Sequence, residues 1–328
     1  MGKLPVKSSH FPTLLVTTFG CLFVLIPINF QLGWSNTQTL RLKDGHPYRA
    51  FTEVLSLADG SVSHEVYVFS KDEKATNPPI LLLHELPGLS DETLKYAKTL
   101  SNDFTVYVPL LFGALGQEST LKGWAAYSFN GEWWRRDSLD GSRLIAHWLR
   151  YVVSQIAQRH TNQQIGIIGM CLTGALPLAL LDNPHVHAIV VAQPSLPLLN
   201  WSADDRQSFD ISPREWEAAQ RRVKESGNVR VYGVRFEKDC IAKREKYLRL
   251  RTAFKKNFID AEIEEEEYRF EKDNGETEII ADDAHSTLIR EWGVDTKHPS
   301  ENRRREVRLF LMNPFSFKRI PSLEAGSN

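Results

Sequence analysis

Cysteine is scarce in this sequence. Cys21, Cys171 and Cys240 are the whole complement in 328 residues, too few and too odd a number for a disulfide scaffold. A surplus of charge of one sign is also missing: 40 Lys and Arg stand against 41 Asp and Glu, for a net charge of −1. That gives no ground for a nucleic acid or an acidic surface as partner. The basic clusters that do occur, Arg221-Arg222 and Arg303-Arg304-Arg305, lie beside Glu225, Glu301 and Glu306 and read as solvated helix faces. Internal repeats and long low-complexity tracts are absent too. With 42% apolar and 25% charged residues, the composition is that of a globular chain with a filled core.

Over one stretch charge is missing altogether. No charged residue occurs between Phe11 and Leu40, and Phe11 to Phe30 reads FPTLLVTTFGCLFVLIPINF. A run of ~20 apolar residues is long enough to span a bilayer as a helix. Two readings compete. One is a single-pass anchor; the other is a signal peptide cut before Asn36, with Gly33 and Ser35 at the small-residue positions. The run is long for a signal core and no A-x-A site follows, which favours the anchor. Lys3 and Lys7 on one side nearly balance Arg41, Lys43 and Arg49 on the other, so orientation is open. The chain is therefore divided into residues 1–35, an anchor or signal segment, and 36–328, the main domain. Its expected location is a membrane, or the exterior after cleavage.

In the main domain, continuous apolar strands alternate with amphipathic helices. Strands are expected at His64 to Phe69, Ile80 to Leu83, Asp103 to Pro109, Gln164 to Met170, Val186 to Gln193, Val229 to Phe236 and Ile263 to Phe270. Helical spacing marks residues 89–102, 143–158, 172–181, 242–254 and 302–312. Ser212-Pro213-Arg214-Glu215 forms a capping box with Pro at the first helical position. Residues 112–136 read as a loop rich in glycine and aromatics. The pattern predicts a mostly parallel sheet covered by helices on both faces, with the ligand site at the carboxyl ends of the strands.

The strongest local signal is Gly169-Met170-Cys171-Leu172-Thr173-Gly174, where a buried strand turns directly into a helix. Nucleophile elbows have this form. The turn is sharp and needs small residues on either side, yet Thr173 stands where glycine is usual. A helix start behind Cys171 favours its thiolate. The competing reading is a small buried cysteine between two elements. A base should follow in the chain after an acid. His185 and His187 fall at the wrong end of a strand, and His298 precedes the last helix, which leaves His285. Asp239, just past a strand, is the acid, with Glu237 and Asp283 as weaker substitutes; Asp239 could instead cap the following helix. His84-Glu85-Leu86-Pro87-Gly88 follows the first buried strand. Pro87 has no N–H, so Leu86 and Leu172 are the oxyanion donors, and Glu85 is placed to accept from the Cys171 thiol. Trp124 and Trp134 are candidates to line an apolar pocket.

These blocks, HELPG, GMCLTGAL, the Asp239 that follows VYGVRF, and the AHS around His285, resemble the dienelactone hydrolase family. The resemblance runs from about Arg49 to Met312. It implies an α/β-hydrolase fold, a triad of Cys171, Asp239 and His285, and a Glu85 that keeps the thiol neutral until substrate arrives. Arginines hold the substrate carboxylate in that family; Arg290 lies near one such place, and Arg135 and Arg136 are candidates for another. A monomer acting on a small-molecule ester or lactone is expected, with neither metal nor organic cofactor. The alternatives are a non-catalytic binding protein on the same fold and a redox sensor that uses Cys240 as resolving thiol.

Overall fold

The computed structural model describes residues 49–71, 76–199, 201–289 and 297–319. The expected apolar N-terminal helix and the boundary at residue 35 lie outside the described residues, as does Arg290. Among the described residues, no helix is long and apolar enough to cross a membrane.

Eight strands form one sheet: β1 (Glu53–Asp59), β2 (Val62–Phe69), β3 (Ile80–Leu83), β4 (Val106–Pro109), β5 (Ile165–Met170), β6 (Val186–Ala192), β7 (Arg230–Val234) and β8 (Phe258–Asp260). Their order is β1-β2-β4-β3-β5-β6-β7-β8. β1 and β2 are antiparallel to their neighbours, and the pairs from β4 onward are parallel. A two-stranded ribbon, β9 (Arg269–Glu271) and β10 (Thr277–Ile279), stands apart.

The helices are α1 (Asp91–Leu100), α2 (Thr120–Ser128), α3 (Gly131–Trp134), α4 (Leu144–Arg159), α5 (Leu176–Ala179), α6 (Ala203–Gln207), α7 (Pro213–Ser226), α8 (Arg244–Phe254) and α9 (Pro299–Met312). Strand residues alternate between two cores, because successive side chains of a strand point to opposite faces. Leu81, Leu83, Ile167, Ile189 and Val191 pack with Trp148 and Leu149 of α4, Val223 of α7 and Leu250 of α8. Leu82, Ile168, Met170 and Val190 pack with Leu94 of α1 and with Val307 and Phe310 of α9. A sheet buried on both faces is why these strands read as unbroken apolar runs.

Several expectations are corrected. Residues 263–270 are not a strand. The run Glu264–Glu267 has no apolar residue to bury, and Glu265–Tyr268 instead forms a 3₁₀ turn that leads into the short β9. β1 and β8 go beyond the expected strands. The stretch 112–136 is not all loop, since Ser119 and Asn130 cap α2 and α3. The expected helix after Cys171 splits into a 3₁₀ turn, Cys171–Thr173, and the short α5. Nor do Arg303 and Arg304 form a solvated face: both are buried. The Arg303 Nη2 donates to Glu267 Oε1 at 2.6 Å, and Arg304 pairs with Glu301. A buried guanidinium is tolerated only where carboxylates and carbonyls meet it. The capping box at the start of α7 is present, with Ser212 N donating to Glu215 at 2.7 Å and Glu215 N donating to Ser212 at 3.2 Å.

Candidate active site

β3 and β5 are parallel neighbours, and Leu83 pairs with Gly169. Whatever follows the two strands therefore emerges side by side at one edge of the sheet. After β5 comes Cys171, buried and held at φ +53°. A left-handed backbone at a residue with a side chain is strained and persists only where its surroundings hold it. Two neighbours do so. Gly174 N and Ser195 N both donate to the Cys171 carbonyl at 3.0 Å.

Thr173 explains the departure from the usual glycine pattern. Its Oγ1 accepts from Met170 N at 3.0 Å and lies 3.1 Å from the Leu83 carbonyl, to which it can donate. The hydroxyl thus satisfies a buried amide of the turn and ties the elbow to β3. Closeness of approach is required at the glycines on either side. A Cβ on Gly169 would fall 2.5 Å from the Thr173 carbonyl, and one on Gly174 would fall 2.7 Å from the Ala192 carbonyl.

Asp239 lies in the loop after β7. Its Oδ2 accepts from His285 Nδ1 at 2.7 Å. Its Oδ1 accepts from the Ile241 and Ala242 amides at 2.8 and 2.9 Å, so one carboxylate both shapes its own loop and orients the imidazole. It does not cap α8, whose first flanking residue is Lys243. His285 Nε2 is buried and makes no hydrogen bond among the described residues. Burial alone would lower the His285 pKa, but the bond to Asp239 and the nearby Cys171 sulfur outweigh it and push it up to about 11. Cys171, Asp239 and His285 are thus brought together.

Glu85 is buried next to them. Burial raises its pKa, whereas Ser286, His285 and Gln193 favour its charged form. Its hydrogen bond runs to Gln193 Nε2 at 2.8 Å, and Gln193 in turn accepts from Thr287. The Cys171 Sγ has a different partner, Ser195 Oγ at 3.5 Å. Gln193 and Ser195 were missed by sequence reasoning. Their signal was position, just past the carboxyl end of β6. Leu86 follows β3 at the same edge, and Leu172 opens the turn behind Cys171. His84 is a fastener: its Nδ1 meets the Glu85 carbonyl at 3.1 Å, and its Nε2 accepts from Leu111 N at 3.0 Å.

The other expected residues are less central. Trp124 is half-buried, while Trp134, Arg135 and Arg136 are exposed. Arg136 pairs with Asp210 at 2.6 Å. The inward residues of this region are Tyr127 and Trp133, whose rings lie 5.1 Å apart. Burial pushes the Tyr127 pKa up to about 12, and both Arg143 and Cys171 act on it. Gly123 lets α2 press on the loop after β3, since a Cβ there would overlap the Pro87 carbonyl at 2.0 Å. Cys171 and Cys240 are both free thiols. Among the described residues, Asp137, Asp140 and His147 bring possible metal ligands within 4.8 Å of one another. The two carboxylates already accept the Leu139 and Ser142 amides, and these turn bonds account for the cluster.

The family model described as the dienelactone hydrolase family matches residues 64–268. Among curated proteins none matches. Solved structures of similar shape include a dienelactone hydrolase-like promiscuous phosphotriesterase from metagenomic libraries, 15% identical, with TM-score 0.41 over 64% of this chain and 80% of that one. An esterase of Pyrobaculum calidifontis is 9% identical, with TM-score 0.49 over 81% and 87%. An alpha-beta serine hydrolase homologue from Coxiella burnetii is 10% identical, with TM-score 0.44 over 81% and 98%. Likenesses of this degree carry no argument about substrate.

Proposed function

The chain belongs to the dienelactone hydrolase family and is a hydrolase, and from that premise we propose that it cleaves a carboxylic ester or lactone with Cys171 as nucleophile. One observation carries the reading. The Asp239–His285 pair, joined at 2.7 Å, stands beside the sulfur of a residue held at φ +53°. A nucleophile with a base, and a base with an orienting acid, is the arrangement that activates a thiol.

The Sγ proton passes to His285 Nε2, and the sulfur attacks the substrate carbonyl. The developing oxyanion is received by the Leu86 and Leu172 amides. Collapse forms the thioester and expels the alkoxide, which takes the proton from His285. Water then attacks the thioester, with His285 as base, and releases the acid. Part of the upward pull on His285 comes from Cys171, so it acts once the proton has moved and the sulfur is charged, and holds the imidazolium in place. Once the sulfur is acylated that contribution vanishes, and His285 is freed to act as base. Glu85, in keeping with the family resemblance, keeps the thiol neutral until substrate arrives.

The test is an ester and lactone panel on the wild type and on Cys171→Ala. Turnover should fall by roughly a thousandfold or more with folding intact. Near-full activity in Cys171→Ala would remove the proposal.

We also place the chain at a membrane, on the strength of residues 11–30 alone. The full-length protein should resist extraction by salt and alkaline carbonate, because apolar burial is not weakened by salt. An N-terminus beginning at Asn36 would favour export instead, and an intact chain in the soluble fraction would dismiss both readings.

A further inference from the structure

Ser195 lies three residues past the end of β6 and is buried. It touches Cys171 twice. Its amide donates to the Cys171 carbonyl at 3.0 Å, and its Oγ accepts from the Cys171 thiol at 3.5 Å. The first contact holds the strained elbow, and the second places a hydroxyl on the reacting sulfur. The other side chain that acts on that sulfur is His285. Glu85, the neighbouring carboxyl group, accepts from Gln193. The sulfur therefore sits between a hydroxyl and an imidazole.

We propose that Ser195 is a further catalytic residue, whose hydroxyl accepts from the Cys171 thiol at rest and turns to donate a hydrogen bond to the sulfur as the proton leaves for His285. No covalent bond forms to Ser195. The proton moves from Sγ to His285 Nε2, the electron pair stays on sulfur, and the Ser195 O–H is kept. A hydrogen bond to a charged acceptor is stronger than one to a neutral acceptor, so the hydroxyl favours the thiolate over the thiol. It then also favours the thiolate as leaving group when water breaks the thioester. Ser195 acts on acylation and deacylation alike, whereas the oxyanion donors act on the carbonyl oxygen. The inference rests on Cys171 being the nucleophile.

The experiment is the pH dependence of Cys171 alkylation by iodoacetamide, followed by peptide mass spectrometry on the full chain. It needs no ester turnover, so it fails separately from the hydrolase reading. Ser195→Ala removes the hydroxyl but keeps the amide contact to the Cys171 carbonyl. Its alkylation midpoint should move up by about one pH unit, corresponding to a roughly tenfold weaker thiolate. kcat/KM on a reactive ester should fall about tenfold. Ser195→Thr, which keeps a hydroxyl, should restore both. Ser195→Gly serves as a second hydroxyl-free variant if the alanine protein does not fold. A midpoint that stays in place or moves down in a folded hydroxyl-free variant overturns the proposal, as does a threonine variant that behaves like alanine.

Discussion

His84 is buried and His285 half-buried at the carboxyl edge of the sheet, and their pKa values move in opposite directions. Burial pushes His84 down to about 4, against the upward pull of its bond to the Glu85 carbonyl. His285 is pushed up to about 11 although burial works against it. The difference lies in the partners. Both nitrogens of His84 are spent on backbone groups that carry no charge. His285 has a carboxylate on Nδ1 and a sulfur near Nε2. Burial alone makes a histidine a neutral fastener; a flanking carboxylate makes it an acid and base.

The largest expected effect is on the His285 side. His285→Ala should lower ester turnover by roughly a thousandfold or more, since the triad acts as a unit. Urea unfolding should show that the fold survives. His84→Leu should do the reverse. It leaves the Leu111 amide buried without an acceptor, which costs about 1–3 kcal/mol in stability, and turnover should stay within a few-fold. A crossed result, with His84→Leu inactive but stable, would break the comparison.

Stability against pH sharpens it further. His84 titrates near pH 4 in the fold instead of its ordinary 6.5. As pH falls the unfolded chain takes up this proton first, so stability declines between pH 6.5 and 4, by roughly 3 kcal/mol for this group. His285 is raised, so its contribution is complete below pH 6.5 and fades as pH climbs towards 11. Urea midpoints across pH should show the acid decline shrinking in His84→Leu and the alkaline decline shrinking in His285→Ala. Equal acid slopes in wild type and His84→Leu would contradict the assignment.

Much of this contrast was legible in the chain. Cys171, Asp239 and His285 follow from strand ends and chain order, because a parallel sheet gathers its carboxyl ends at one edge. Ser195 and Gln193 were not legible, since a serine and a glutamine after a strand carry no distinguishing pattern until β6 is set beside β5. Thr173 looked like a flaw in the elbow. In the fold its hydroxyl serves the Met170 amide, and Gly174 carries the close approach to Ala192. The burial of Arg303 was hidden for the same reason: its partner Glu267 lies on a distant segment. β8 has only three residues, too few for periodicity to show.

The smallest expected effect concerns Cys240, which is exposed and free. Cys240 follows Asp239, but its side chain is exposed, so Cys240→Ala should leave turnover within about twofold, as exposed substitutions usually do little. A large loss would favour the redox-sensor reading over hydrolysis.

The central claim is that Cys171 carries the acyl group. Mixing the protein with p-nitrophenyl acetate, quenching in acid within the burst, and mapping peptides by mass spectrometry tests it directly. The account predicts one acetyl group on the peptide containing Cys171, released by neutral hydroxylamine as a thioester and absent from Cys171→Ala. An acetyl group on Ser195, or continued turnover with no adduct on Cys171, would contradict it.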